Sequence, residues 1–506
     1  MARRSRKPSV TAPIDDLDIP PSPHPARRTI YLTIGLLLLL IATRIAWGWL
    51  ADWKFNAAIA EFSPRHPLPE RNELQPASTT DSSTPAFFLD RAADRINLQH
   101  WFETGPDIDL LLPLSRDAIE DLRKLLASYS ASLTDVRRAR ELAEGHASAS
   151  EGWGGMDEAA VLARLNRLRD LGWLLQCAIA YSHAIADDSA SIEESRDLLF
   201  VAGAIRHAPS DLGPLVAMNS EIMGSEELAL ICEELRINVG PPSASAAQVK
   251  CLIDDLLAEP PIQTSMQNGL AAQTSELIAW VGGLRNGTSL RWPPSRAWSN
   301  RRQTDEASEP VAKLIARVER PYFQMQAVRL LRNDNALLTD LDSSGYASIV
   351  SRLPADYAPP KGDNFFGIRL VGDFELVRNG MWVKYCFMAG AARPLLAADL
   401  AIRLYGLDHG GRLPAALEEL VPRYLPRVPQ DPYAAAGIPI RYLPGAQRPC
   451  VYSVGENGVD DAAAGTWTIP IVVSPDDRYK LPDLVWHVGP PLPKATPASQ
   501  PATDGS

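Results

Sequence analysis

Three hydrophobic rhythms succeed one another along the chain. The first is an unbroken run. No side chain is charged from position 29 to 43, and positions 36–41 are all large and aliphatic. A helix that spans a bilayer needs about 20 apolar residues. Extending the run to Leu50 supplies that length and takes in Arg44, whose long stem can carry its guanidinium toward lipid headgroups. Trp47, Trp49 and Trp53 then fall where an aromatic belt belongs. The pattern predicts one transmembrane helix over 29–50, after a basic, Pro-rich, disordered tail at 1–28. A linker over 51–85 follows, polar and Pro-rich from Ser63 onward.

The second rhythm has steps of three and four, the period of helices with one buried face. Ser115 is placed to cap a helix with Asp117 in its first turn, followed by Ile119, Leu122, Leu125, Leu126, Tyr129 and Leu133. Residues 158–187 form a longer helix on Leu162, Leu165, Leu168, Leu171, Leu175, Ala178 and Ile185. A break at 187–190 leads into a helix over 192–207, and further segments cover 215–235, 246–258 and 263–284. Short helices joined by tight breaks predict antiparallel hairpins in series, a bundle or short solenoid, without a fixed repeat signature. A polar loop over 286–306 sets Trp292 and Trp298 beside Arg291, Arg296, Arg301 and Arg302. It could bind something anionic or aromatic, or simply pack its tryptophans on the helical body. Pro310 suits the first turn of another helix, which Pro321 is expected to interrupt.

The third rhythm belongs to the end of the chain. A long helix over 373–407 carries Ala391, Leu395, Ala398, Ile402 and Tyr405 as a stripe and ends at Gly410–Gly411. A short helix at 415–420 and strands at 438–443, 450–454 and 466–473 follow, with a hairpin-type turn at Glu456, Asn457 and Gly458. A Pro/Ala/Ser-rich tail over 489–506 is read as disordered. The expected fold class is mainly α: a transmembrane helix, a helical-hairpin ectodomain over 86–372, and a small α+β module over 373–488 with a short antiparallel sheet.

The ordered positions Tyr405, Asp408, Gly411, Pro414, Leu417, Leu420, Val421, Pro429, Asp431, Pro432, Tyr433, Pro439, Tyr442, Tyr452, Ser453, Gly455, Gly458 and Asp461 resemble the C-terminal part of the major pseudopilins of type II secretion. The resemblance covers about the last fifth of the chain. With its run LARLNRLRDLGWLLQCAIAY, the whole ectodomain also resembles a group of bacterial single-pass proteins that pair a helical-hairpin domain with the same ending. That group implies a membrane location and no established activity. In the pseudopilins the acidic loop after Y-S-x-G can bind calcium, which makes Asn457, Asp460 and Asp461 candidate ligands here. Alanines at 462–464 replace much of that loop, and a solvated acidic turn is the plainer reading. Pseudopilins carry their module directly on the membrane helix, behind a prepilin-peptidase site. Here more than 300 residues intervene and no such site precedes Thr29.

Charge sets the expected orientation. Arg3, Arg4, Arg6, Lys7, Arg27 and Arg28 precede the apolar run, whereas an equal length behind it holds only Lys54, Arg65 and Arg71. The bias puts the N-terminus in the cytoplasm and the large C-terminal part outside the inner membrane. A cleaved signal peptide is the rival, but the 28 preceding residues are long for its basic region and no A-x-A site follows. The chain carries a net −11; the first 28 residues contribute +3, leaving −14 for the rest. An acidic ectodomain argues against a nucleic-acid partner.

Cys177, Cys232, Cys251, Cys386 and Cys450 lack zinc-type spacing. Cys232 and Cys251 are the nearest pair for a disulfide, and the favoured reading is small buried residues. Motifs for hydrolase nucleophiles, zinc proteases, phosphate loops and dinucleotides are absent. His409 is expected to meet carbonyls at a helix end. The paired carboxylates Asp187–Asp188 and Asp254–Asp255 are read as solvated.

The expectation is a non-enzymatic, single-pass scaffold or binding protein of the cell envelope. It holds the lipid bilayer through its N-terminal helix and has an envelope protein as partner. Its alternatives are a docking component of a secretion or pilus-like machine, and an enzyme whose site is dispersed in sequence.

Overall fold

A computed structural model describes residues 25–62, 83–98, 113–143, 158–206, 234–258, 309–343, 371–435, 437–465 and 483–488, with isolated positions between 208 and 232, 274 and 281, and 346 and 349. The structure is mainly helical with a small sheet. Its elements are α1 (Pro25–Phe62), α2 (Pro85–Asp94), α3 (Arg116–Ser128), α4 (Ser130–Ala143), α5 (Glu158–Ala184), α6 (Asp188–Arg206), α7 (Ala246–Leu257), α8 (Glu309–Ser343) and α9 (Val371–Asp408). A 3-10 turn (Leu417–Leu420) and the strands β1 (Arg441–Leu443), β2 (Cys450–Ser453) and β3 (Leu484–His487) complete them. The loop at 286–306, the strand expected at 466–473 and the two terminal tails lie outside the described residues.

Helix starts follow local chemistry. Ser115 sits in extended conformation and its side chain accepts from the Ala118 N–H, so α3 begins at the cap that the sequence marks. Thr84 caps α2 in the same way ahead of Pro85. Ser245 and Gln248 form a reciprocal capping box on α7. The stripe from Ile119 to Leu133 divides into two helices at Tyr129, whose φ of −115° and ψ of 16° leave the helical region. Two positions in this stretch take a left-handed or capping geometry between α5 and α6. Ala186 has φ of 67°, and Asp187 Oδ1 accepts the Ala190 N–H. The second helix then folds back, so that the Ser191 hydroxyl reaches the Ile179 carbonyl.

Packing proceeds from neighbour to neighbour. α2 lies on α4 and α5, α3 on α5, α5 on α6, α6 on α7, α7 on α9, α9 on α8, and α8 on α1. Buried apolar residues from all of these belong to one contiguous core. α9 is its axis: from Val383 to Tyr405 nearly every apolar side chain is buried, on all sides of the helix. β2, β3 and the 3-10 turn pack on α9, so the terminal module shares the core of the helical body.

Three expectations change, and one strand is added. α1 does not stop at Leu50 but continues to Phe62, into the segment read as linker, because a new apolar stripe begins as the first ends. Pro321 lies inside α8 instead of interrupting it. Its missing donor removes one backbone bond, and close packing against α1 holds the helix together there; a Cβ on Gly48 would lie 4.0 Å from the proline ring. The described sheet is antiparallel in the order β1-β2-β3, and its third strand is Leu484–His487, a site not anticipated. Four residues leave too little length for a period to show. Asp188 is fully buried rather than solvated.

Candidate membrane anchor and terminal acidic turn

The exposed half of α1 carries most of the exposed large apolar side chains among the described residues. Positions 36–41 are between 48% and 63% exposed, and none of the apolar run is buried. It is the one described helix long and apolar enough to cross a membrane. Its few polar groups are satisfied within the helix: the Thr33 and Thr43 hydroxyls donate to the carbonyls of Thr29 and Leu39 at 2.9 and 2.8 Å. Trp47, Trp49 and Trp53 are exposed at the end of this surface.

Beyond the tryptophans the helix changes partner. Ala51, Phe55, Ala58 and Phe62 are buried, at steps of four, three and four, and they continue a line from the half-buried Arg44 and Gly48. Such alternation forms a straight seam on a helix. The seam faces α8. Asp52 Oδ1 accepts from Arg320 Nη2 at 2.5 Å and from Gln324 Nε2 at 2.6 Å. Further along, Asn335 Nδ2 donates to Glu61 at 3.4 Å. Position rises along both helices together, so α1 and α8 run parallel.

In the terminal module two of the matched motif positions, Tyr433 and Ser453, bond to a third, Asp431. Its fully buried carboxylate accepts from the Ser453 hydroxyl at 2.6 Å and from the N–H groups of Tyr433 and Val454, both at 3.0 Å, with Arg441 Nη1 at 3.3 Å. Tyr405 donates to Glu419, and Tyr424 donates to Asp408. His409 stacks on Tyr405, and its Nδ1 lies 2.8 Å from the Tyr405 carbonyl, the helix-end role expected of it.

The three candidate calcium ligands share one turn but face protein groups. Asp460 Oδ1 accepts from the Tyr452 hydroxyl and the Ala462 N–H, and its Oδ2 pairs with Arg441 Nε at 2.8 Å. The Ala462 N–H, above all, holds the Asp460 carboxyl below its ordinary value. Asn457 donates to Asp461 Oδ2 at 2.8 Å and accepts the Val459 N–H. Asp483 anchors the turn from β3 by accepting the N–H groups of Asp461 and Ala463, and burial pushes its carboxyl up. Calcium takes about six to eight oxygens. Here the oxygens of Asp460 already accept from the Tyr452 hydroxyl and the Ala462 N–H, with the Arg441 guanidinium beside them. Among the described residues no three His, Cys, Asp or Glu side chains converge on a metal-sized site. Glu456, next in the same turn, is buried against Lys384 Nζ of α9 at 2.9 Å.

Sequence reasoning missed a buried ionic layer between α4, α6 and α7. Asp197 is held by Arg137 and Arg140, each at 2.7 Å; Arg140 reaches Glu193, and Arg196 reaches Asp255. Burial pushes the Asp197 carboxyl up against the pull of its two arginines. Burial, again first, raises the adjacent Glu194 to about 7, with a hydrogen bond from Ser182 opposing it. Burial also works to raise Asp188, but hydrogen bonds from His183 and Arg236 outweigh it and hold that carboxyl below its usual value. A signal was present: Glu193, Glu194 and Asp197 fall within one turn of a helix whose other face is apolar, as do Arg137 and Arg140.

A groove of about 620 Å³ beside this layer is lined by Asp187, Ser189, Asn238 and the 240–245 loop. It offers hydroxyls and backbone rather than a nucleophile with its base. The five cysteines are free thiols, four of them buried and Cys251 exposed. No family model, curated protein or solved structure matches the chain.

Proposed function

We propose that the protein is a single-pass membrane protein whose α1 is an uncleaved anchor, and that its helical body is an extracytoplasmic scaffold or binding surface for an envelope protein. The observation that carries this reading is the continuity of α1. One 38-residue helix is apolar and exposed along its first part and buried against α8 along its last. A signal peptide that is cut away has no need of a buried seam at its C-terminal end, whereas an anchor that sets the position of a folded body does. The basic residues ahead of α1 favour a cytoplasmic N-terminus. The terminal module is read as pseudopilin-like, supported by the bonds of two of its motif residues, Tyr433 and Ser453, to Asp431.

Reporter fusions and carbonate extraction test the proposal together. A periplasm-active reporter fused after position 465 should be active, the same reporter fused at position 28 inactive, and the full-length, uncleaved chain should remain in the carbonate pellet. A shortened, extractable product would identify α1 as a signal sequence and end the proposal.

A further inference from the structure

The parallel course of α1 and α8 has a geometric consequence for the start of α8. Gly48 of α1 lies opposite Pro321, Asp52 opposite Arg320 and Gln324, and Glu61 opposite Asn335. Residues that follow Pro321 therefore run with α1 away from its apolar half. Residues 309–320, which precede Pro321, run in the opposite sense, toward that half. At about 1.5 Å per residue they add roughly 18 Å of helix on the membrane side of the Gly48–Pro321 contact.

That contact lies at the level of Trp47, Trp49 and Trp53, all exposed, where a water–lipid boundary belongs. Positions 30–43 of α1 are nevertheless exposed on every side, so residues 309–320 do not lie along them. The exposure of α1 is complete only ahead of the half-buried Arg44, so the two helices part on the membrane side of Gly48 and Pro321, and a proline inside a helix is a usual place for a bend. The parted segment has the pattern of a surface-seeking helix, with Lys313, Arg317 and Arg320 outnumbering Glu309 and Glu319. Val311, Leu314, Ile315 and Val318 recur at helical spacing on one face, while Lys313 and Arg317 precede Arg320 by seven and three positions on another.

From this placement we infer that residues 309–320 form an interfacial helix, seated in the headgroup layer beside the anchor and contacting anionic phospholipid phosphates. The protein then holds the membrane at two points: a span that fixes depth, and a surface helix that fixes rotation about it. The inference rests on the reading of α1 as a membrane span.

Nitroxide accessibility in the full chain tests it. Cys251, the exposed thiol, is changed to Ser, and single labels are placed through Leu314→Cys, Leu38→Cys and Arg123→Cys in proteoliposomes that contain phosphatidylglycerol. Leu38 reports the span and Arg123 the aqueous body. The inference expects the Leu314 label to favour oxygen over a water-soluble nickel chelate, at a depth between the other two. It also expects that preference to weaken at least twofold with Lys313→Glu and Arg317→Glu together, or in purely zwitterionic vesicles. A Leu314 label as accessible to nickel as the Arg123 label, with Leu38 in lipid, overturns the interfacial helix and leaves the anchor standing. Low access to both reagents means that the segment packs on protein, and this also overturns it. A water-exposed Leu38 label defeats both readings at once.

Discussion

At the scale of single residues, buried charge decides more than exposed charge. Glu194 is the sharpest case. Its carboxyl, in contact with Ser182 of α5 and facing Arg137, Asp197 and Asp187, titrates near 7, against 4.5 for an exposed glutamate. A raised acid gives stability that is complete below the unfolded value and lost as pH climbs through the folded one. Folding should therefore weaken between about pH 4.5 and 7, by on the order of 3 kcal/mol at about 1.4 kcal/mol per pH unit. Glu194→Gln should abolish that slope, matching the native chain at pH 4.5 and exceeding it at pH 7.5 in thermal melts. Equal melting shifts for both chains across the range would show that Glu194 ionises freely.

Asp431 works the opposite way, as an acceptor without which three buried donors have no partner. Asp431→Ala should cost about 3 kcal/mol or more, read as a lowered urea midpoint at unchanged helical content. An unmoved midpoint would mean that water replaces the carboxylate. The sequence marks Asp431 through its motif and Ser115 through its cap, because each accepts a backbone N–H two or three positions on, from Tyr433 and Ala118. It could not mark Asp188, whose burial depends on Arg236, a partner 48 positions away.

At the scale of elements, the pattern locates what is periodic and loses what is short or borrowed. α5, α6, α7 and α9 lie within a few residues of their sequence-based bounds because each carries its own stripe over many turns. α3 and α4 were one stripe in sequence, since a helix that breaks at Tyr129 and restarts at once keeps its apolar phase. β3 has four residues and gains its strand character from pairing with β2, with Val451 opposite Trp486. Pro321 shows the same dependence. Local propensity says that a helix ends there, at a cost of about 3 kcal/mol for an interior proline. Burial of Ala327, Val328, Leu330 and Leu331 just beyond it supplies the opposing stabilisation. The continuation of α1 past Trp53 was legible in principle, because Ala51, Phe55, Ala58 and Phe62 keep coiled-coil spacing. The linker reading prevailed because this stripe has no meaning until α8, more than 250 positions later, is placed beside it.

At the scale of the whole molecule, α1 and the body are one mechanical piece, and this distinguishes the protein from one whose apolar helix hangs on a flexible tether. The same helix that would sit in lipid ends in the core that also contains α9 and the sheet. A rotation of the apolar half of α1 is thereby transmitted to the body. Inserting one alanine after Phe55 turns the rest of α1 by about 100°, which takes Ala58 and Phe62 off α8 while Ala51 and Phe55 stay on it. Exposing Phe62 alone forfeits about 1.5–3 kcal/mol of burial, and loss of the Glu61–Asn335 contact adds to it. The melting temperature of the detergent-solubilised chain should fall by several degrees. The same insertion after Ile41 lies in the exposed run; it rotates the apolar part ahead of it and leaves the seam in phase, so the melt should not move. Equal effects of the two insertions, or none from the first, would show that residues 51–62 are independent of the body. The molecule would then be a folded domain on a leash, and its orientation at the membrane would not be set by α1.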